Sequence, residues 1–404
     1  MSVQIRSKKN LIGEVKLTPS KSISNRVLLI DALSHKKNKI ENLSSSTDTQ
    51  ILKNILSNPP VHCDAGDAGT AFRFLTAYLA IRPGEYVLTG SDRMKFRPCG
   101  PLVEALNKLG ANIKYTEHQG YPPLEIHGTT LEGSSVAIDA NISSQFITAL
   151  LLIAPELKNG LKLELTGKIV SQSYLDLTID VMSKFGAEVK QNGNVYIVSH
   201  KPYKQSEYHI ENDWSSAGYW YLYAACAKKC DLVLRGIDLN SRQGDAVIAK
   251  LAESFGVFST PVEGGVRINK KEVELPVFFP YDFTDCPDLV MTMAVLCAIN
   301  RIQASFTGVK NLRIKESNRL VALQKELGKF GVDVHIFEDE LRIDPADELK
   351  HPIVISGHND HRMVMAFTAF SYLYDDIVID DPAAVRKSYP EFWDELRRIG
   401  FEVE

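Results

Sequence analysis

Long apolar runs are missing from this 404-residue sequence. No stretch reaches the roughly 18 consecutive apolar residues of a membrane-spanning helix, so a membrane partner is not expected. The first residues, Met-Ser-Val-Gln-Ile-Arg-Ser-Lys-Lys, lack the apolar core of a signal peptide. Cysteine is scarce: the six, at 63, 99, 226, 230, 286 and 297, form neither a disulfide framework nor a zinc spacing. A reducing, cytoplasmic setting is therefore expected. Cys226 and Cys230, four apart in an apolar segment without a nearby histidine, read as core cysteines of one helix. Excess positive charge is also absent. Lys and Arg number 46 against 50 Asp and Glu, a net −4, which argues against nucleic acid as a partner. Nor is there a glycine-rich phosphate loop, since Thr18-Pro-Ser-Lys-Ser22 has no glycine to wrap a phosphate. Any anionic ligand must be held by a local basic cluster.

What is present is repetition. A helical segment ending in a bulky apolar residue, then glycine, then a short strand occurs at Leu109-Gly110, Phe185-Gly186, Phe255-Gly256, Phe330-Gly331 and Ile399-Gly400. Glycine in these places suits the left-handed residue that ends a helix. The five lie roughly 70 residues apart, and the region before Gly110 has room for a degenerate first copy. Six α/β units of two helices and several strands divide naturally into two lobes of three, with the break near Glu211-Asn-Asp-Trp214.

Polar constellations stand at the starts of predicted helices. Thr18 to Leu29 breaks at Pro19 and enters a helix burying Ile23, Val27 and Ile30, with Ser20 or Ser22 as cap. Lys21, Ser22 and Arg26 there suit an anion, although an ordinary capped helix with solvated charges accounts for them equally. The same two readings apply to the rest. Ala65-Gly-Asp-Ala-Gly69 is a small-residue turn opening a helix that contains Arg73. Arg93, Lys95 and Arg97, if extended, share one face ahead of a helix Leu102–Leu109. Ser143, Ser144 and Gln145 open a strongly apolar helix that needs only one of them as cap, and Ser171 to Tyr174 repeats the theme. Asp288 follows Pro287 where a helix dipole favours a carboxylate. Arg313, Lys315, Glu316 and Arg319 fall within seven residues, and Lys315, Glu316 and Arg319 share one predicted helical face at i, i+4 and i, i+3. His358, Asp360, His361 and Arg362 precede an apolar helix, with no matching third ligand set for a metal. Arg386 and Lys387 precede another helix start.

Taken together, these segments resemble the enolpyruvyl transferase family, and within it the branch whose acceptor is shikimate 3-phosphate. The resemblance is carried by Pro19-Ser-Lys-Ser-Ile-Ser-Asn-Arg26, Ala68-Gly-Thr-Ala-Phe-Arg73, Arg93-Met-Lys-Phe-Arg-Pro98, Ser143-Ser-Gln-Phe-Ile-Thr-Ala-Leu150 and Pro287-Asp288, followed by Arg313-Ile-Lys-Glu-Ser-Asn-Arg-Leu320, Asp360-His-Arg-Met363 and Lys387-Ser-Tyr-Pro390. They follow the family's order across nearly the whole chain. The resemblance implies an α/β (α+β) fold of two lobes, each of three βαβαββ-type repeats around helices. The lobes would be 21–211, and 1–20 with 212–404, closing around the substrates. It implies transfer of the enolpyruvyl group of phosphoenolpyruvate to the 5-hydroxyl of shikimate 3-phosphate, with release of phosphate. No metal or organic cofactor is implied, and a monomer is.

Matched position by position, the resemblance gives Lys21, Ser22, Arg26, Ser143, Ser144, Gln145, Ser171, Tyr174, Asp288, Asn311 and Lys315 to shikimate 3-phosphate. Lys21, Gly69, Arg97, Gln145, Arg319, Arg362 and Lys387 go to phosphoenolpyruvate. Asp288 becomes the base and Glu316 the acid, with Lys315 sharing the proton work. Several positions depart from the family pattern: Pro19 stands for a glycine, Asp67 for an asparagine, Phe96 for a glutamate, and Gln172 and Ser173 for Lys-Pro. Asp67 matters most, because it adds negative charge beside an anion pocket. The related branch that transfers to UDP-N-acetylglucosamine fits less well, because its loop cysteine falls before the Arg-Pro pair, whereas Cys99 follows Pro98.

Overall fold

The computed structural model describes residues 2–34 and 36–404. The chain forms two compact units, Met1–Pro19 with Glu211–Glu404, and Ser20–Ile210. Each has its own hydrophobic core.

One repeat shows how the sequence builds both. In the Ser20–Ile210 unit, strand Ser134–Asp139 pairs in parallel with Leu161–Thr166, starting at Ser134 opposite Leu161. Parallel neighbours need a crossover, supplied by helix Ser144–Ile153. A second helix, Gln172–Lys184, leads to the antiparallel hairpin Val189–Asn192 and Val195–Val198, whose second arm returns beside Leu161–Thr166. The strands His62–Asp64, Gly84–Thr89, Asn112–Tyr115 and Leu124–Gly128 follow the same scheme. The third, degenerate copy keeps only a parallel pair, Lys39–Glu41 with Glu207–His209.

The other unit has three full copies. Asn10–Lys16 pairs with Lys229–Arg235 ahead of the hairpin Val257–Val262 and Gly265–Lys270. Phe278–Asp282 pairs with Gln303–Thr307 ahead of Asp333–Ile336 and Glu340–Asp344. The last copy, Val354–Ile355, Ile377–Asp380 and Glu402–Val403, borrows Ser2–Arg6 as its fourth strand. All five repeat glycines have positive φ, from +80 to +103.

Each copy contributes one inner helix. Ser144–Ile153 and Val290–Ile299 are apolar almost all round and buried along nearly their whole length, as central helices must be. Lys21–Leu33, Gly69–Ala80 and Ser144–Ile153 pack together in one unit; Trp214–Cys226, Val290–Ile299 and His361–Phe367 do so in the other. The outer helices, such as Arg319–Lys329, keep one wet face.

Two sequence expectations need correction. Asp92–Lys95 is a helical turn capped by Ser91, not an extended segment, so Arg93, Lys95 and Arg97 do not share a face. Cys226 ends its helix, but Cys230 lies in the strand Lys229–Arg235, because Ala227 turns the chain out of the helix. Burial pushes both thiols up to about 12, so neither is poised as a thiolate.

Gly256 tests the repeat. A Cβ on it would overlap the Lys271 backbone carbonyl, and its φ is +80. Gly256→Ala is expected to destabilise its unit by about 1–3 kcal/mol, read as a lower denaturant midpoint at unchanged slope.

Candidate active site

The inner helices of each unit start at a common end, so unpaired N–H groups and the positive ends of helix dipoles gather there. In the Ser20–Ile210 unit, Ser20 caps helix Lys21–Leu33 by accepting from the Ile23 N–H at 3.4 Å. Lys21 Nζ is 3.0 Å from Asp48 Oδ2, a half-buried pair. Arg26 is not a solvated charge. Its Nε donates to Thr178 Oγ1 at 2.8 Å, and its guanidinium donates to the Ser22 carbonyl at 2.8 Å and the Tyr174 carbonyl at 3.1 Å. All three acceptors are neutral. Burial lowers Arg26 to about 10, and among the described residues no carboxylate pairs with it, a place that a ligand carboxylate or phosphate would fill.

Ser143 caps Ser144–Ile153 through the Gln145 N–H at 3.3 Å, and Ser144 is buried in the first turn. Gln145 Nε2 reaches Thr70 Oγ1 at 3.1 Å, beside Gly69. One turn further in, Thr148 and Thr178 hydroxyls meet at 3.2 Å, so the Ser144 and Tyr174 ends of their helices are neighbours. Ser171 precedes Gln172–Lys184 in a left-handed conformation, φ 60 and ψ 49, and is buried. Arg97 is buried, donates to the Asp67 carbonyl at 3.2 Å, and lies flat over Gly69, where any Cβ would overlap the guanidinium. The Asp67 carboxylate itself accepts from Ser91 Oγ. The residues matched in this half therefore share one end of one unit.

The other unit gathers charge. Arg319 is 1% exposed and contacts three carboxylates: Asp288 Oδ1 at 3.0 Å, Glu316 Oε2 at 3.0 Å and Asp360 Oδ2 at 2.8 Å. Arg362 NH2 is 2.7 Å from Asp288 Oδ2, so Asp288 bridges two guanidiniums. Lys387 Nζ is 3.8 Å from Glu316 Oε1. Asp360 caps helix His361–Phe367 and also accepts from Ser317 Oγ at 3.1 Å. Burial alone would raise Asp288, but Arg362, Lys315 and Arg319 outweigh it and hold the carboxyl far below the carboxylate range. Asp360 is likewise held down against burial, mainly by Arg319. Asn311 Oδ1, in the turn Lys310–Ile314, is buried without a hydrogen-bond partner among the described residues.

The expected helical face of Lys315, Glu316 and Arg319 is corrected. The helix begins only at Arg319, capped by Asn318, so Lys315 and Glu316 lie on the turn before it. Glu316 still meets Arg319 because that turn folds back. Among the described residues no group of His, Cys, Asp or Glu is arranged to hold a metal.

Sequence reading passed over Asp48, Thr178, Ser215, Asp245 and Glu326. Each acts as support for a charged or cap residue, and a lone Asp or Thr on a polar turn carries no local signal of that. Glu326 is buried between Lys329 at 2.5 Å and His358 at 2.8 Å, which ties the loop carrying Asp360 to its helix.

Repeated βαβαββ units with cations, hydroxyls and paired carboxylates at their helix starts define an α/β protein whose charged helix ends suit small anions. Residues 5–58 and 52–396 match the family EPSP synthase (3-phosphoshikimate 1-carboxyvinyltransferase), and this chain belongs to it. A 3-phosphoshikimate 1-carboxyvinyltransferase of Bacteroides fragilis is 42% identical over 393 residues, 96% of each chain. One from a Sulfurovum species is 36% identical over 427 residues, 98% of this chain and 99% of its own. An EPSP synthase structure from Acinetobacter baumannii superposes at TM-score 0.76 over 100% of this chain and 99% of its own; at 22% identity it shows the fold. Among the described residues no helix is long and apolar enough to cross a membrane.

Proposed function

We propose that the protein transfers the enolpyruvyl group of phosphoenolpyruvate to the 5-hydroxyl of shikimate 3-phosphate, releasing phosphate. The observation that carries this reading is Asp288 held between Arg319 and Arg362, with Glu316 on the same Arg319. Two guanidiniums present a fork that fits a carboxylate. In the resting protein Asp288 takes that role for itself, and is therefore a poor base. When the carboxylate of phosphoenolpyruvate replaces it, Asp288 loses its stabilising partners and its proton affinity rises toward what the 5-hydroxyl requires.

Glu316 protonates the methylene carbon while the 5-hydroxyl oxygen attacks the neighbouring carbon and Asp288 takes the hydroxyl proton. In the second step Glu316, left as a carboxylate, takes back a methyl proton while the C–O bond to phosphate breaks, and Asp288 returns the hydroxyl proton to the departing phosphate. Lys315, whose charge already acts on Asp288, shares this proton traffic. Lys21, Gly69 through its N–H, Arg97, Gln145 and Lys387 complete the phosphoenolpyruvate contacts, stabilising charge in place rather than by rearrangement. Ser22 and Arg26 take the shikimate carboxylate; Ser143, Ser144 and Ser171 take its phosphate, with Gln145 and Tyr174 beside the ring. Asn311 takes a ring hydroxyl, which would satisfy its unmet oxygen. A cytoplasmic monomer completes the reading.

Phosphate release from phosphoenolpyruvate tests it. Turnover is expected with shikimate 3-phosphate and not with UDP-N-acetylglucosamine; release with neither, or only with the nucleotide sugar, sinks it. Arg26→Lys separates binding from chemistry. A point charge cannot replace the three-way guanidinium anchor, so KM for shikimate 3-phosphate should rise by about tenfold or more with a smaller change in kcat. An unchanged KM would remove Arg26 from the site.

A further inference from the structure

Asp245 lies on the short turn Gly244–Val247 and is buried at 3% exposure. Its Oδ2 accepts from Ser215 Oγ, while its Oδ1 is buried with no hydrogen-bond partner among the described residues. A carboxyl half-satisfied in the interior costs stability, so packing alone is a poor reason for it. Ser215 is the link to the charged cluster. Its Oγ lies 3.4 Å from Arg362 NH2, which is 2.7 Å from Asp288 Oδ2. Donation thus runs in one direction, from the Arg362 N–H to the Ser215 oxygen and from the Ser215 O–H to Asp245.

We infer that Asp245 is a positioning residue for Arg362, holding its guanidinium through Ser215 and governing how much of that positive charge is left for the anionic substrate. This rests on the reading of Arg362 as a phosphoenolpyruvate anchor. The ionisable groups facing Asp245 are Asp288 and Arg362 from the cluster, Asp213 at the start of helix Trp214–Cys226, and Cys286 ahead of Asp288. Tyr219 touches Arg362 from the same helix, its OH 3.5 Å from NH1. Burial first, then the Asp288 charge, push Asp245 up to about 7 against the pull of Arg362. The carboxyl therefore changes charge in the neutral range. Protonated, it leaves Arg362 to the ligand; ionised, it draws on Arg362 and repels the incoming anion. By linkage, anion binding favours protonated Asp245, so affinity falls as pH rises through about 7.

The test is KM for each substrate from about pH 5.5 to 8.5 in the wild type, Asp245→Asn, Ser215→Ala and Arg362→Gln. The amide stays neutral and keeps the bond from Ser215. The ratio of wild-type to Asp245→Asn KM for phosphoenolpyruvate should be near one at the acid end. It should climb to about tenfold at the alkaline end, the effect of one pKa unit of coupling. The corresponding ratio for shikimate 3-phosphate should stay flat. Ser215→Ala should raise KM for phosphoenolpyruvate throughout and leave that for shikimate 3-phosphate unchanged; it decides the matter if Asp245→Asn fails to fold. A flat ratio, or equal effects on both substrates, would overturn the inference while Arg362→Gln still raised KM for phosphoenolpyruvate. No rise in Arg362→Gln would instead remove the anchor reading and the inference with it.

Discussion

Glu316→Gln is expected to lower kcat by about 10²–10⁴-fold, the usual worth of a positioned acid. The amide keeps the size of the side chain and one acceptor for Arg319, so the thermal midpoint should move little. Asp288→Ala should lower kcat comparably, but with a distinguishing sign in KM. Asp288 occupies Arg319 and Arg362 in the resting protein, at 3.0 and 2.7 Å. Its removal takes away the internal competitor for a substrate carboxylate, so KM for phosphoenolpyruvate should hold or fall while kcat collapses. Phosphate release under saturating shikimate 3-phosphate reads both quantities. Turnover close to the wild type in Glu316→Gln, or a lost kcat with a large rise in KM in Asp288→Ala, contradicts the roles assigned.

Arg319→Met should have the largest effect on stability. The variant leaves Asp288, Glu316 and Asp360 facing one another without the buried cation that joins them. Stripping one partner from a buried ion cluster costs about 3–5 kcal/mol, because the remaining charges cannot recover their hydration. Lys at this position restores the charge but not the fork and should rescue only part. The pH dependence has a definite sign. Asp288 and Asp360 have folded values below their unfolded ones, so their contribution is complete above about pH 4 to 5. It is lost in the wild type as pH falls further. In Arg319→Met, Asp360 loses its main stabilising charge and Asp288 keeps only what Arg362 and Lys315 supply, so both gain less from ionising and the deficit should be large at neutral pH and shrink in acid. Denaturant midpoints of the two proteins at neutral and acid pH measure this; a deficit independent of pH would mean Arg319 acts by packing alone.

Several features were legible in the sequence because they are local. The five Gly positions after a bulky apolar residue signal a left-handed helix end wherever they occur, and all five have positive φ. Ser20 and Ser143 as caps follow from one hydroxyl standing before an apolar run. Where local pattern misled, a neighbour decided. Arg93 to Arg97 alternate charge as a strand would, but Ser91 caps a helical turn there and Arg97 is drawn over Gly69. Lys315 and Arg319 stand at helical spacing, yet Asn318 starts the helix between them.

By itself the sequence determined the repeat, the helix starts and the residue types gathered at them, because caps, turns and apolar periodicity act over a few residues. Only tertiary structure decided which of those charges meet. Asp288 is shared by Arg319 and Arg362, and Asp245 reaches Arg362 through Ser215. These partners lie tens of residues apart, and their proton affinities depend on burial and on charges contributed by other repeats, which no stretch of sequence carries.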